Sequence, residues 1–186
     1  EIWDSRELLQ NGYEQQLVDL KVLTNEEINL ILNRFKNNHC VYYAFLTAYC
    51  TGLRIAEVFA LTWNDIDFNK KEISINKTLY EEVKGRVVIN STKNNLNRKI
   101  KMSNTLINTL QNYYEYVKKY SDFSEKWFVF GNTRFLPKTT IDRYKHKYFQ
   151  LSGINEITMH EFRHSHVSLL INEYIKSSKQ KDMKVD

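Results

Sequence analysis

Residues 72–102 read EISINKTLYEEVKGRVVINSTKNNLNRKIKM, and the period of this stretch decides the fold. Three runs inside it, EISINKTL (72–79), RVVIN (86–90) and RKIKM (98–102), alternate along the chain and carry β-branched residues, as half-buried strands do. Gly85 separates the first two runs, and STKNNLN (91–97), rich in turn-forming Asn, separates the last two. The pattern predicts a three-stranded antiparallel meander.

On either side of this stretch the apolar spacing is helical. LTNEEINLILNRF (23–35) opens with Thr24 and Glu27 at capping-box spacing, and Ile28, Ile31, Leu32 and Phe35 then recur on one face. CVYYAFLTAYCTG (40–52) is apolar on most sides, which suits a central helix, and Gly52 suits its C′ position. LRIAEVFALTW (53–63) restarts a helix at once. After the strands, Ser103 is placed to cap NTLINTLQNYYEYVKKY. WFVF (127–130) reads as a short buried extended piece, KTTIDRYKHKYFQLSG (138–153) as a helix ending at Gly153, and TMHEFRHSHVSLLINEYI (158–175) as a last helix. In that helix Val167, Leu170, Ile171 and Tyr174 form an apolar stripe. The order helices, small sheet, helices predicts an α+β domain that is mostly α, with a small three-stranded antiparallel sheet.

The chain has 186 residues, enough for one good core. Hydrophobic residues make up 42% and charged residues 26%, so wholesale disorder is excluded, and 5 Gly with 1 Pro disfavour a many-turned β architecture. The net charge of +5 is compatible with nucleic acid without requiring it. Cys40 and Cys50 fall on one helix, roughly 15 Å apart, too far for a disulfide, and read as thiols of a reducing compartment. No run is long and apolar enough for a membrane span. Residues 1–22 read as a lead-in, 23–175 as the domain, and 176–186 as a polar tail; the first and last residues, Glu1 and Asp186, suggest a fragment of a longer protein.

MHEFRHSHVSLL (159–170) admits two chemistries. As H-E-x-x-H it offers His160 and His164 as zinc ligands with Glu161 as the base of a hydrolase. A third ligand is then needed, and Glu173 lies roughly 13 Å further along the same helix, with no Gly or Pro to break it; Glu156 is the other nearby carboxylate. Arg163 inside the motif also opposes a dication. As H-x-x-R, His160 and Arg163 share the first turn of a helix, where free N–H groups and the dipole favour an anion and a guanidinium can fork phosphate oxygens. Arg54, just after a Gly-terminated helix, is a second such cation, with Glu57 placed to orient it, although a surface Arg–Glu pair looks the same in sequence. Lys93, between Thr92 and Asn94 at a hairpin tip, could swing into a groove as a proton donor or simply solubilise the turn.

Taken together, TGLRIAEVFALTWNDID (51–67), STKNNLNRKIKMS (91–103) and HEFRHSHVSLL (160–170) resemble the tyrosine recombinase, or phage integrase, family, in its motif order and spacing over residues 24–172. The combination favours phosphate over zinc. The resemblance implies a catalytic-domain fold and a reaction in which a tyrosine hydroxyl cuts one DNA strand. A 3′-phosphotyrosyl link forms and a 5′-hydroxyl leaves, with no metal or other cofactor. It implies that Arg54 and Arg163 hold the non-bridging oxygens, that Lys93 protonates the leaving 5′-oxygen, and that His160 assists proton transfer. Glu57 would orient Arg54, and His164 would support the site. It further implies double-stranded DNA as substrate, a homotetramer on DNA in the full-length protein, and a bacterial cytoplasmic setting. Lys138, Thr139, Thr140 and Arg143, at a helix start, are candidate DNA contacts.

The family's nucleophilic tyrosine follows a G-H or G-W step that this sequence lacks. Tyr174 is the natural substitute among 12 tyrosines, but it lies roughly 16 Å along the helix from Arg163. The expectation is that these 186 residues bind DNA without cutting it. The rival readings are a type IB topoisomerase-like enzyme, a non-catalytic DNA-binding remnant and the zinc hydrolase. The recombinase reading requires Arg54 and Arg163 to face one pocket.

Overall fold

The computed structural model describes residues 23–35, 39–81, 87–91, 97–158, 160–168 and 170–171. Helix α1 (Asn25–Phe35) starts where Thr24 N–H donates to Glu27 Oε2 at 2.9 Å and Glu27 N–H to Thr24 Oγ1 at 3.2 Å. This is the capping box that the spacing predicts. Helix α2 (His39–Thr51) runs through the core: Val41, Ala44, Phe45, Leu46, Thr47 and Ala48 are all buried. Its lack of a polar face leaves it no place at the surface. Cys40 and Cys50 lie near its two ends as free thiols, and burial pushes Cys50 up to about 11.

Gly52 turns the chain out of α2 with φ +61°, and after Leu53 and an extended Arg54 the short helix α3 (Ile55–Ala60) begins. The sequence spacing predicts a longer helix, through Trp63. It stops at Ala60 because Leu61 is extended and its carbonyl accepts from Val129 N–H at 2.9 Å, while Thr62 bridges to Phe128. Pairing with the WFVF segment, whose Trp127, Val129 and Phe130 are buried, outweighs continued helix.

A 3-10 turn (Trp63–Asp65) leads into β1 (Ile66–Asp67), β2 (Glu72–Ile75), β3 (Lys77–Glu81), β4 (Val87–Ser91) and β5 (Arg98–Lys101). The antiparallel three-stranded sheet has the order β1-β2-β5, with Ile73 opposite both Ile66 and Ile100. Among the described residues, the strands β3 and β4 pair only with each other. The sheet therefore has the predicted size but not the predicted meander. The run 72–79 breaks at Asn76: its first half pairs with β5, and its second half becomes one arm of a separate hairpin. The break has a local cause. Asn76 Nδ2 donates to Asp65 Oδ1 at 3.2 Å, and the Lys77 ammonium pairs with the same buried carboxylate, so two consecutive side chains turn towards the 3-10 turn instead of extending the ladder.

Helix α4 (Asn104–Val117) is capped by Ser103, whose Oγ accepts from Leu106 N–H at 3.3 Å, and buries Leu106, Ile107, Leu110, Tyr113 and Val117. Helix α5 (Lys138–Ser152) ends at Gly153 with φ +67°. Residues 160–168 form the last helix, α6. Its buried side chains are Phe162, packed on Phe45 and Tyr49 with ring centroids 5.5 and 6.0 Å away, and Ser165. The predicted stripe does not fill that role: Leu170 is exposed, Val167 and Ile171 are half-buried, and Tyr174 is outside the described residues. The helix meets α2 through its first two turns, so its buried face is set there. No helix among the described residues is long and apolar enough to cross a membrane.

Candidate functional site

The turn between α2 and α3 presents Arg54, and one helical turn later Glu57 is buried, with 3% of its surface exposed. Arg54 N–H donates to Glu57 Oε2 at 3.0 Å, while its guanidinium Nη1 stands 3.5 Å from Oε1. The closer partner comes from β5. Arg98 Nη1 donates to Oε1 at 3.1 Å and Nη2 to Oε2 at 2.7 Å, a forked pair on one carboxylate. Burial alone would push the Glu57 carboxyl up. The hydrogen bonds from Arg98 and Arg54 N–H, with both guanidinium charges, outweigh that and hold it below the usual carboxylate range.

Arg163 stands at the start of α6, half-buried. Burial lowers its pKa, the charges of Arg54 and Arg98 lower it further, and Glu57 opposes them. Arg54 lies near enough in space for its charge to act on Arg163, although the two are remote in sequence. Two guanidiniums stand against the one carboxylate, so this group of three keeps one positive charge in excess.

The ring of His160 is exposed and stands perpendicular to that of His164, with centroids 4.5 Å apart. Burial, then the charges of His160 and Arg163, press the His164 imidazole below its ordinary range. Glu161 is engaged elsewhere: Thr158 N–H donates to its Oε2 at 2.6 Å and Glu161 N–H donates to Thr158 Oγ1 at 3.1 Å. The Glu of H-E-x-x-H thus serves as a helix cap. Among the described residues, no group of three or more His, Cys, Asp or Glu could hold a metal ion.

Lys93 lies outside the described residues. Lys138, Thr139 and Thr140 occupy the first turn of α5, with Arg143 one turn on, its guanidinium 5.3 Å from the Tyr144 ring centroid. A cavity of about 470 Å³, lined by Ile55, Phe59, Leu79, Ile141 and Lys138 among others, separates this helix start from α3. The first turn of α5 and the helix that follows Arg54 thus border one cavity.

Two residues of the site escape sequence reasoning. Arg98 sits in RKIKM, where three basic residues share four positions; nothing there marks one as facing a carboxylate until β5 pairs with β2. His166 packs beneath Gly52, where an added Cβ would stand 2.6 Å from its Cδ2. Spacing could not reveal that contact, because it joins α6 to the end of α2. Gly52 thus has two reasons to be glycine: its φ and the imidazole against it.

A mostly helical domain with a small antiparallel sheet thus carries Arg54 and Arg163 near the starts of two helices remote in sequence. The chain belongs to the phage integrase family, whose sequence profile matches residues 21–181. It is 29% identical over 163 residues to the ICEBs1 integrase of Bacillus subtilis, covering 83% of this chain and 44% of that protein. It is 28% identical over 174 residues to a tyrosine recombinase XerC-like protein of Caldanaerobacter subterraneus subsp. tengcongensis, covering 82% and 44%. The chain thus spans less than half the length of these curated relatives. The Tn1549 transposon integrase, solved in complex with circular intermediate DNA, superposes with a TM-score of 0.63 at 22% identity, over 82% of this chain and 53% of that one. This last likeness concerns the fold.

Proposed function

We propose that the chain is the catalytic domain of a site-specific DNA recombinase that cuts and rejoins DNA through a 3′-phosphotyrosyl link. In this reading Arg54 and Arg163 bind the non-bridging oxygens of one phosphodiester, where negative charge develops during attack. The tyrosine Oη–P bond forms as the P–O5′ bond breaks, and Lys93 gives its proton to the leaving 5′-oxygen. His160 handles a proton near the nucleophile, Glu57 orients Arg54, and His164 supports the arrangement. Lys138, Thr139, Thr140 and Arg143 contact DNA from the start of α5. The observation that supports the proposal is the exposed Arg54 guanidinium set at a turn against the buried Glu57, with Arg163 half-buried at the start of α6.

Double-stranded DNA is the substrate, and the full-length protein works as a homotetramer on it, in the cytoplasm of a bacterial cell. Both curated relatives come from bacteria, and both carry recombinase or integrase names. The 186 residues bind DNA but do not cut it, since no tyrosine in them reads as the nucleophile. The test is a nicked suicide substrate carrying the cognate site. A protein extended to include a nucleophilic tyrosine forms a covalent adduct, which Arg163→Ala suppresses, while the 186-residue chain forms none. An adduct with that chain alone refutes the division of labour. Relaxation of supercoils without strand exchange moves the assignment to a topoisomerase-like reaction.

A further inference from the structure

We propose that Arg98 is a positioning residue: it occupies Glu57 so that Arg54 stays free for a phosphate. The inference deepens the DNA reading and rests on it. Its basis is the unequal sharing of one carboxylate. Arg98 forks both Glu57 oxygens at 3.1 and 2.7 Å, whereas the Arg54 guanidinium makes one looser approach at 3.5 Å, and its side chain is 61% exposed against 39% for Arg98. A buried carboxylate demands a cation, because an unpaired charge there is costly. Were Arg98 absent, the nearest guanidinium able to satisfy Glu57 would be that of Arg54, which is tied to it through its own N–H at 3.0 Å. Arg54 would then turn inward, with its planar fork on a carboxylate instead of a phosphate. Arg98 also begins β5, the strand that leads back from the segment carrying Lys93, so one side chain joins that strand to the Arg54 turn.

The experiment is the salt dependence of binding to a short random-sequence DNA duplex, measured on this chain as wild type, R98M and R98M/E57Q, with circular dichroism on each. Withdrawal of Arg54 lowers the slope of log affinity against log salt by about 1 in R98M. The double variant regains part of the slope lost in R98M, since a neutral Gln no longer draws Arg54 inward, and stays below wild type because the carboxylate that orients Arg54 is gone. Should R98M not fold, R98K and R98K/E57Q replace the pair; a lysine leaves one carboxylate oxygen to Arg54, and the slope falls partway and recovers in part in the double variant. An unchanged slope with only a lowered melting temperature overturns the proposal, leaving Arg98 a structural clamp. A double variant as low as the single one overturns it too, making Arg98 itself the phosphate contact. A wild type with no salt-dependent binding removes the DNA reading and the proposal together, whereas either of the other failures removes the proposal alone.

Discussion

Glu57 and Asp65 are two buried carboxylates in one local design, put to opposite ends. Each sits three residues past an extended residue at the start of a short helix and accepts that residue's N–H: Arg54 to Glu57 at 3.0 Å, Thr62 to Asp65 at 2.7 Å. Asp65 is then closed off. Thr62 Oγ1, Asn76 Nδ2 and the Lys77 ammonium complete its shell, one cation for one anion. Glu57 is over-supplied, with two guanidiniums against it and Arg163 close by. A balanced shell holds a chain in place, and an unbalanced one leaves positive charge over, which in the proposed reading a DNA phosphate takes up. Charge count, more than burial, separates scaffold from site here.

The sharpest way to break this comparison is Asp65→Ala. It strands Lys77 beside a hole and frees the break at Asn76, so stability falls by about 3–5 kcal/mol in urea titration, while the salt slope of DNA binding by the folded fraction stays at the wild-type value. A shifted slope would make Asp65 part of the site. Gly52→Ala comes next: a left-handed residue with a side chain costs about 1–2 kcal/mol, and contact with His166 adds to it. The check is chemical denaturation, and Gly153→Ala, where nothing stands within 4 Å, should show the backbone cost alone. Arg163→Ala inverts the pattern of Asp65. The salt slope falls by about 1, while the melting temperature holds or rises, since a half-buried cation beside two others is removed.

The smallest effect is a pH dependence. Burial depresses His166 in the folded state, against a partly opposing hydrogen bond with the Tyr49 backbone, and burial also depresses His164. The unfolded chain therefore binds protons first. Stability is whole above about pH 6.5 and is lost as pH falls below it. His166→Phe keeps a ring under Gly52 and should flatten that acid limb in melting-temperature scans from pH 7.5 to about 5. The Glu57 contribution lies lower still, because its depressed carboxyl loses its charge only below the ordinary carboxylate range.

Helix starts, and the stops made by glycine, were legible because they depend on neighbours in sequence, whereas the end of α3 at Ala60 was not, being set by pairing of Leu61 with Val129. Thr24 with Glu27, Ser103, Gly52 and Gly153 all cap as read. Although β1 lies outside the alternating stretch and the run at 86–90 pairs with β3 instead, the small size and antiparallel character of the sheet were legible from alternation. Its connectivity was not, since Asn76 and Lys77 leave the ladder for a carboxylate eleven and twelve residues back, and no period records that. At the candidate site, Arg54, Glu57 and Arg163 were singled out by their turn and helix-start positions together with the family resemblance, and the structure sets Arg54 against Glu57. Arg98 was hidden among lysines, and the role of Glu161 was concealed by a motif that suits a cap as well as a metal base.

One long-range contact reaches α6. Ser165 Oγ accepts from the backbone N–H of Leu23 at 3.0 Å and donates to the Glu161 carbonyl at 3.2 Å. The polypeptide entering α1 is thereby moored to α6 two positions beyond Arg163. The position of Leu23 is in this way tied to the helix that carries this arginine, a link that a separation of 142 residues conceals in the sequence.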